Sequence, residues 1–245
     1  MTRKTLLVLG ANSDIAQAIA TKYASEGYQL FLISRKTERL ALFATDLKIR
    51  YQCEVSCFEL DILDTGAHHQ VYTALPHSPD GVVCAIGYLG DQAAAQDNAT
   101  ELALVTQSNY TAIAQFLEIV AADMAGRKSG FIIGVSSVAG DRGRKSNYIY
   151  GAAKAAYSAY LSGLRNRLCD YGVQVLTVKP GFVQTSMTEK MDLPKALTAQ
   201  PSQVASDIYK AQVKGRNVIY SKSVWLVIMS IIKIIPEFIF KKLNL

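Results

Sequence analysis

The sequence predicts an α/β fold: one doubly wound, Rossmann-type domain, a three-layer αβα sandwich on a seven-stranded parallel sheet. Three observations carry that expectation. Short strand-like runs recur along the 245 residues, and most are continuous apolar stretches of the kind found where a strand is covered on both faces. The segments between them have helical periodicity. The chain is long enough for one large core, and 50% of its residues are hydrophobic against 19% charged, a globular balance.

The elements follow in order. TLLVLG is the first strand, and GANSDIA turns it into the helical segment IAQAIATKYASEG. YQLFLIS is the second strand and ends at Ser34-Arg35-Lys36. VSCFEL, GVVCAIG, GFIIGVSS, VQVLTVKPG and NVIYS complete the set. ELALVTQSNYTAIAQFLEIVAADMAG reads as one helix stopped by its glycine. Alternation of this kind implies right-handed crossovers with helices on both faces of a parallel sheet. No repeat or linker interrupts it, so residues 1–245 form one domain with an apolar C-terminal extension at 223–245.

Composition excludes several classes. The formal charge of +6 comes with no Lys/Arg block and no aromatic-basic stripe, so no nucleic-acid partner is expected. The four cysteines, Cys53, Cys57, Cys84 and Cys169, make no disulfide framework, and Cys84 reads as a buried small hydrophobe. Cys53 and Cys57 with His68 and His69 match no zinc spacing, so no metal is expected. The three histidines read as surface helix and loop residues. MTRKTLLVLG runs straight into a strand without a signal segment, which points to a reducing, cytoplasmic setting.

The strand–glycine–helix turn at Gly10 sets backbone N–H groups and a positive helix end at the carboxyl edge of the sheet, where a pyrophosphate binds. Gly10 permits the sharp turn, and Asn12 or Ser13 can cap the helix. Ala16 is a mild replacement for a packing glycine. Asp14 favours the helix dipole but would repel a phosphate, so its side chain must point aside. No acidic residue follows the second strand to grip ribose hydroxyls. Arg35 suits a 2′-phosphate instead, which favours NADP, with NADPH preferred over NADH.

The chemistry lies in GFIIGVSSVAGDRGRKSNYIYGAAK. Tyr150 and Lys154 are four apart on a helical pattern and share a face. A phenol with a pKa of about 10 is sluggish near neutrality, and a neighbouring ammonium lowers it. Ser136 and Ser137 end a buried strand at the same carboxyl edge. VSSVAGDRG is not a nucleophile elbow, which leaves a hydrolase without support.

With Asn109 in SNYTA, Ser137 in GVSSVAG, the Tyr-x-x-x-Lys of YGAAK and PGFVQT at 180–185, the sequence resembles the short-chain dehydrogenase/reductase family over nearly its whole length. The resemblance implies Tyr150 as general acid/base, with Ser137 bonding the reacting oxygen. Lys154 would bind the nicotinamide ribose and tune Tyr150, and Asn109 would hold a water in the proton relay. It also implies a cofactor-binding set: Gly10, Asn12, Ser13, Asp14 and Ile15 in the opening turn, Arg35, Asp61 near the adenine, Ile62, Gly87, Tyr150, Lys154, and Pro180, Gly181, Val183 and Thr185 around the nicotinamide end. Dimers or tetramers are implied as well. Two departures stand out: Asp14 and Ala16 in the glycine loop, and Cys84-Ala85-Ile86-Gly87 where the family carries Asn-Asn-Ala-Gly. With AIGYLGDQ and GLRNRL, they make the chain similar to a narrower branch, the reductases of decaprenylphosphoryl 2-keto-pentose sugars.

TSMTEKMDLPKALTAQ, with Met187 and Met191, reads as a substrate loop or a structural connection. The extension SVWLVIMSIIKIIPEFIFKKLNL is too short and too interrupted by Lys233 to span a bilayer. It is a buried lid or subunit interface, a peripheral membrane element, or a wall for a lipid-linked substrate. Two functions are carried forward: an NADPH-dependent ketone reductase with a lipophilic or lipid-linked sugar substrate, and a non-catalytic dinucleotide-binding or membrane-docking scaffold on the same fold.

Overall fold

The structure is a computed structural model and describes residues 3–189 and 192–243. β1 (Thr5–Leu9) leads into α1 (Asp14–Ser25), β2 (Gln29–Ser34) into α2 (Ala41–Tyr51), and β3 (Val55–Glu59) into α3 (His68–Thr73). β4 (Gly81–Cys84) precedes α4 (Gln92–Asp97), α5 (Ala99–Thr106) and α6 (Ala112–Arg127). β5 (Phe131–Val135) precedes α7 (Tyr148–Cys169), β6 (Gln174–Pro180) precedes α8 (Pro201–Val213), and β7 (Val218–Ser221) leads to α9 (Val224–Ile234) and α10 (Glu237–Phe240).

The strands form one seven-stranded sheet in the order β3-β2-β1-β4-β5-β6-β7, every neighbouring pair parallel. The order reverses between β1 and β4, which opens a crevice at their carboxyl ends. Alternate residues of a strand face opposite sides, and β1 shows it. Leu6 and Val8 pack with Ile19 and Tyr23 of α1 and Ile208 of α8. Leu7 and Leu9 pack with Phe116 of α6 and Tyr157 and Leu161 of α7. All of these are fully buried, and each contributes roughly 1.5–3 kcal/mol relative to exposure. Only the edge strands β3 and β7 carry exposed positions.

Three expectations need correction. The long helix after Glu101 is interrupted by a π-turn at Gln107–Thr111. There the Asn109 side chain donates to the Val105 carbonyl at 2.8 Å, the acceptor that the backbone N–H of residue 109 would take in a regular helix. Gly126 lies inside α6 rather than stopping it; the chain leaves the helix through Lys128, which is left-handed at φ 51°. His68 is buried rather than on the surface, with Nε2 2.8 Å from the Ile62 carbonyl oxygen and its ring edge-on to Phe116. Among the described residues no helix is long and apolar enough to cross a membrane.

Candidate active site

The turn after β1 is built by close approach. Gly10 sits at φ +78°, and a Cβ there would stand 2.8 Å from Cγ1 of Ile86. Its N–H and that of Ala11 both donate to the Ile33 carbonyl. Ser13 caps α1, its Oγ accepting from the Ala16 N–H at 3.2 Å. Asn12 donates to the Lys36 carbonyl at 3.0 Å and fastens the turn to the end of β2. Asp14 points aside: its carboxylate accepts from the N–H and hydroxyl of Ser186 at 2.8 and 2.9 Å. The residue that looked hostile to phosphate is a latch to the loop after β6.

A cavity of about 780 Å³ runs from this turn across the ends of β2, β3 and β4, within the range of small-ligand sites. Gly10, Asn12, Ser13, Arg35, Asp61, Ile62 and Gly87 line it, as do Lys36 and Arg39. A cleft floored by backbone turns and closed at one end by three cations fits an extended dinucleotide anion. Asp61 Oδ1 accepts from the Leu63 N–H at 3.0 Å, which fixes that rim.

A second cavity, about 210 Å³, adjoins it and shares Ser13, Ala85, Ile86 and Gly87 as walls. Ser137, Tyr150 and Lys154 line it together, with Asp14, Ile15, Pro180, Gly181, Val183 and Thr185. Backbone packing holds the serine against the tyrosine helix. Ser137 opens the tight turn Val138–Gly140, which lies on α7 so closely that a Cβ at Gly140 would be 2.7 Å from the Ala155 nitrogen. A Cβ at Gly151 would be 2.8 Å from the Ala139 carbonyl oxygen.

Lys154 is buried, and Nζ donates to the carbonyls of Ile86 and Val135, each at 3.3 Å. It stands 5.8 Å from the centre of the Tyr150 ring. Burial pulls its pKa down to about 8, opposed by Cys84. Burial pushes the Tyr150 phenol up to about 12, opposed by the Ser137 hydroxyl. The expected lowering of the phenol by the ammonium does not emerge: desolvation raises it, and the opposing influence is the Ser137 hydrogen bond. Asn109 is fully buried behind the cavities and lines neither. Its side chain clasps Tyr88, donating to the carbonyl at 2.6 Å and accepting from the N–H at 3.2 Å. That clasp steadies the segment after β4 where the asparagines of the resembling family are missing.

Sequence reasoning did not single out Trp225, Arg142 or Arg144. Trp225 packs against Gly181 so tightly that any Cβ there would collide with the indole, and it forms a small core with Val138 and Met229. Arg142 donates to the Ile232 and Ile235 carbonyls at 2.5 and 2.7 Å, pairs with Glu237 at 2.8 Å and stacks on Phe240. The catalytic-side turn is thereby bolted to α9 and α10. Arg144 and Met187 line the second cavity; Met191 lies outside the described residues. The one available signal was position, since DRGRKSN falls between Ser137 and Tyr150.

The sequence profile of the short chain dehydrogenase family matches residues 4–196. An uncharacterized oxidoreductase of Mycobacterium tuberculosis (strain ATCC 25618 / H37Rv) is 33% identical over 241 residues, which is 97% of this chain and 96% of that protein. Among solved structures, a short-chain dehydrogenase from Sphingobium yanoikuyae in complex with NADPH has a TM-score of 0.81 at 21% identity, covering 96% of this chain and 97% of the other. A 3-oxoacyl-[acyl-carrier protein] reductase from Brucella melitensis in complex with NAD has a TM-score of 0.82 at 20% identity, covering 93% and 98%.

Proposed function

The chain belongs to the short chain dehydrogenase family, and from that membership we propose that this oxidoreductase is an NADPH-dependent ketone reductase with a lipophilic or lipid-linked substrate. The observation that carries the reading is the meeting of Ser137, Tyr150 and Lys154 on one cavity that shares a wall with the dinucleotide-sized cleft.

When bound, the nicotinamide supplies the hydride for reduction. The chain's own residues handle the oxygen and its proton. Ser137 donates a hydrogen bond to the carbonyl oxygen and orients it. Tyr150, held protonated across the neutral range by a pKa near 12, gives its proton to the developing alkoxide. The reverse reaction needs the phenolate, so this environment favours reduction near neutral pH. Lys154, with a pKa near 8, holds a titratable positive charge against Ile86, a residue of the wall the two cavities share.

Arg35, Lys36 and Arg39 at one end of the cleft support a 2′-phosphate. Leu89, Val138, Phe182, Met187 and Trp225 make the substrate side apolar, which supports a lipophilic substrate. The exposed small residues Ala152, Ala159 and Gly163 on α7 support close packing against a second copy in a homodimer or homotetramer. The exposed apolar face of α9 supports peripheral membrane contact.

The test is a ketone panel that includes lipid-linked keto sugars, followed by NADPH and NADH oxidation. Wild type should turn over best with NADPH, and Arg35→Ala should narrow the NADPH/NADH ratio of kcat/KM at least about tenfold, the loss of one charge-assisted bond. Faster turnover with NADH, or an unchanged ratio in the variant, contradicts the cofactor assignment.

A further inference from the structure

We propose that the substrate carries an anionic group, a phosphate ester or a carboxylate, which the guanidinium of Arg144 receives beside Tyr150; the inference rests on the reductase reading above.

Arg144 lines the cavity that holds Ser137, Tyr150 and Lys154, and it does not line the larger cleft assigned to the dinucleotide. It shares that cavity with Ser137 and Tyr150, so its position suits a group on the substrate rather than the 2′-phosphate assigned to the Arg35 end of the cleft. Its Nε is buried and has no hydrogen-bond partner among the described residues, and it takes part in none of the ion pairs found there. Removing a cation from water without a counter-charge is costly, and burial accordingly lowers the guanidinium pKa.

The acidic groups on neighbouring elements are otherwise engaged. Asp14, the only carboxylate lining this cavity among the described residues, is latched to Ser186. Asp141, three residues before Arg144, is bound by Lys179 and by the Tyr220 hydroxyl at 2.6 Å. Asp91 accepts from the Ala94 N–H at 2.9 Å, and Glu101 from the Tyr88 hydroxyl at 2.9 Å. Glu237 is held by Arg142. The contrast with Arg142, whose donors are used two residues earlier in the same loop, makes the vacancy local to Arg144.

Asn147, on the same loop and lining the same cavity, has a buried Oδ1 without a partner among the described residues, an acceptor open to a hydroxyl of the substrate rather than to its anion. A planar donor fork beside an amide oxygen suits a phosphate or carboxylate whose carrier also bears a hydroxyl. Leu89, Val138, Phe182, Met187 and Trp225 give the same cavity an apolar side, so the matching ligand is an amphiphile: an anion near the ketone and an apolar portion beyond it.

The experiment compares matched ketones in the wild type, Arg144→Gln and Arg144→Lys. One pair is a medium-chain β-keto acid and its methyl ester; the other is a hydroxyketone phosphate ester and the free hydroxyketone. Wild type should favour the charged member of at least one pair by tenfold or more in kcat/KM, and the pair that shows it identifies carboxylate or phosphate. Arg144→Gln should bring that ratio close to one, and Arg144→Lys should retain part of it. The same compounds are tested for their shift of the unfolding midpoint, a readout that needs no turnover. If no ketone is reduced, the reductase reading fails, and the midpoint shift by the charged member, lost in Arg144→Gln, still decides the anion site. Equal ratios and shifts for charged and neutral members in the wild type, or a preference that survives Arg144→Gln, overturn the proposal.

Discussion

A carboxylate in a phosphate-binding turn is tolerated when its lone pairs are already committed, and Asp14 commits both of its contacts to Ser186. Lys154 presents the opposite case, a cation kept in a dry place by two carbonyls. Its pKa falls from 10.5 to about 8 on folding. Between those values the unfolded chain binds more protons at this site than the folded one, so stability rises with pH across the window. Below pH 8 the full penalty is present, up to about 3 kcal/mol by the usual conversion. Urea unfolding of wild type and Lys154→Met from pH 7 to pH 10 should show the wild type gaining about 1–3 kcal/mol relative to the variant. Tyr150 acts in the reverse sense, since its pKa is raised from 10.0, but only above pH 10. A pH-independent difference between the two proteins contradicts the buried-ammonium account.

At the scale of elements, the site is assembled by backbone contacts that large side chains would prevent. Gly140 and Gly151 let the Ser137 turn lie on α7, and the π-turn before α6 turns Asn109 inward to clasp Tyr88. α9 does two jobs. Trp225 and Met229 face inward, Trp225 as a wall of the cavity, while Val227, Ile231 and Ile234 are exposed. Lys233, Lys241 and Lys242 flank that apolar face and are exposed too, a combination that suits an anionic lipid surface. Eleven residues of helix span only about 16 Å, half a bilayer core, so α9 would lie along the surface. Wild type should co-sediment with phosphatidylglycerol vesicles and be released by salt. A Val227→Glu/Ile234→Glu protein, altered only on the exposed face, should lose most of that binding without a change in unfolding midpoint. Equal pelleting of both proteins rules out this face as the docking element.

For the whole molecule, the strands were legible because covered parallel strands are written as continuous apolar runs, and all seven appear where those runs stand. Helix ends were less legible. The π-turn depends on where one asparagine side chain finds an acceptor, and the end of α6 depends on Lys128 adopting a left-handed conformation. Tyr150, Lys154 and the pair Ser136-Ser137 could be read from spacing, since a strand end and one helical turn bring them to the same edge, while the choice of Ser137 within the pair rested on the family resemblance. Trp225 and Arg144 could not, because only tertiary contact decides which side of a helix or loop meets the cavity. On the proposed function, this cavity delivers a proton from Tyr150 to a carbonyl that receives hydride from the adjoining cleft. It is tested by reducing the best ketone with NADPH that carries deuterium at both C4 positions, in wild type and Tyr150→Phe. The wild-type product should carry one deuterium on the carbinol carbon, and reduction should be at least about a thousandfold slower in the variant, the upper part of the range for lost general acid catalysis at about 10²–10⁴. An alcohol product without deuterium, or a Tyr150→Phe protein reducing the ketone at the wild-type rate, would contradict it.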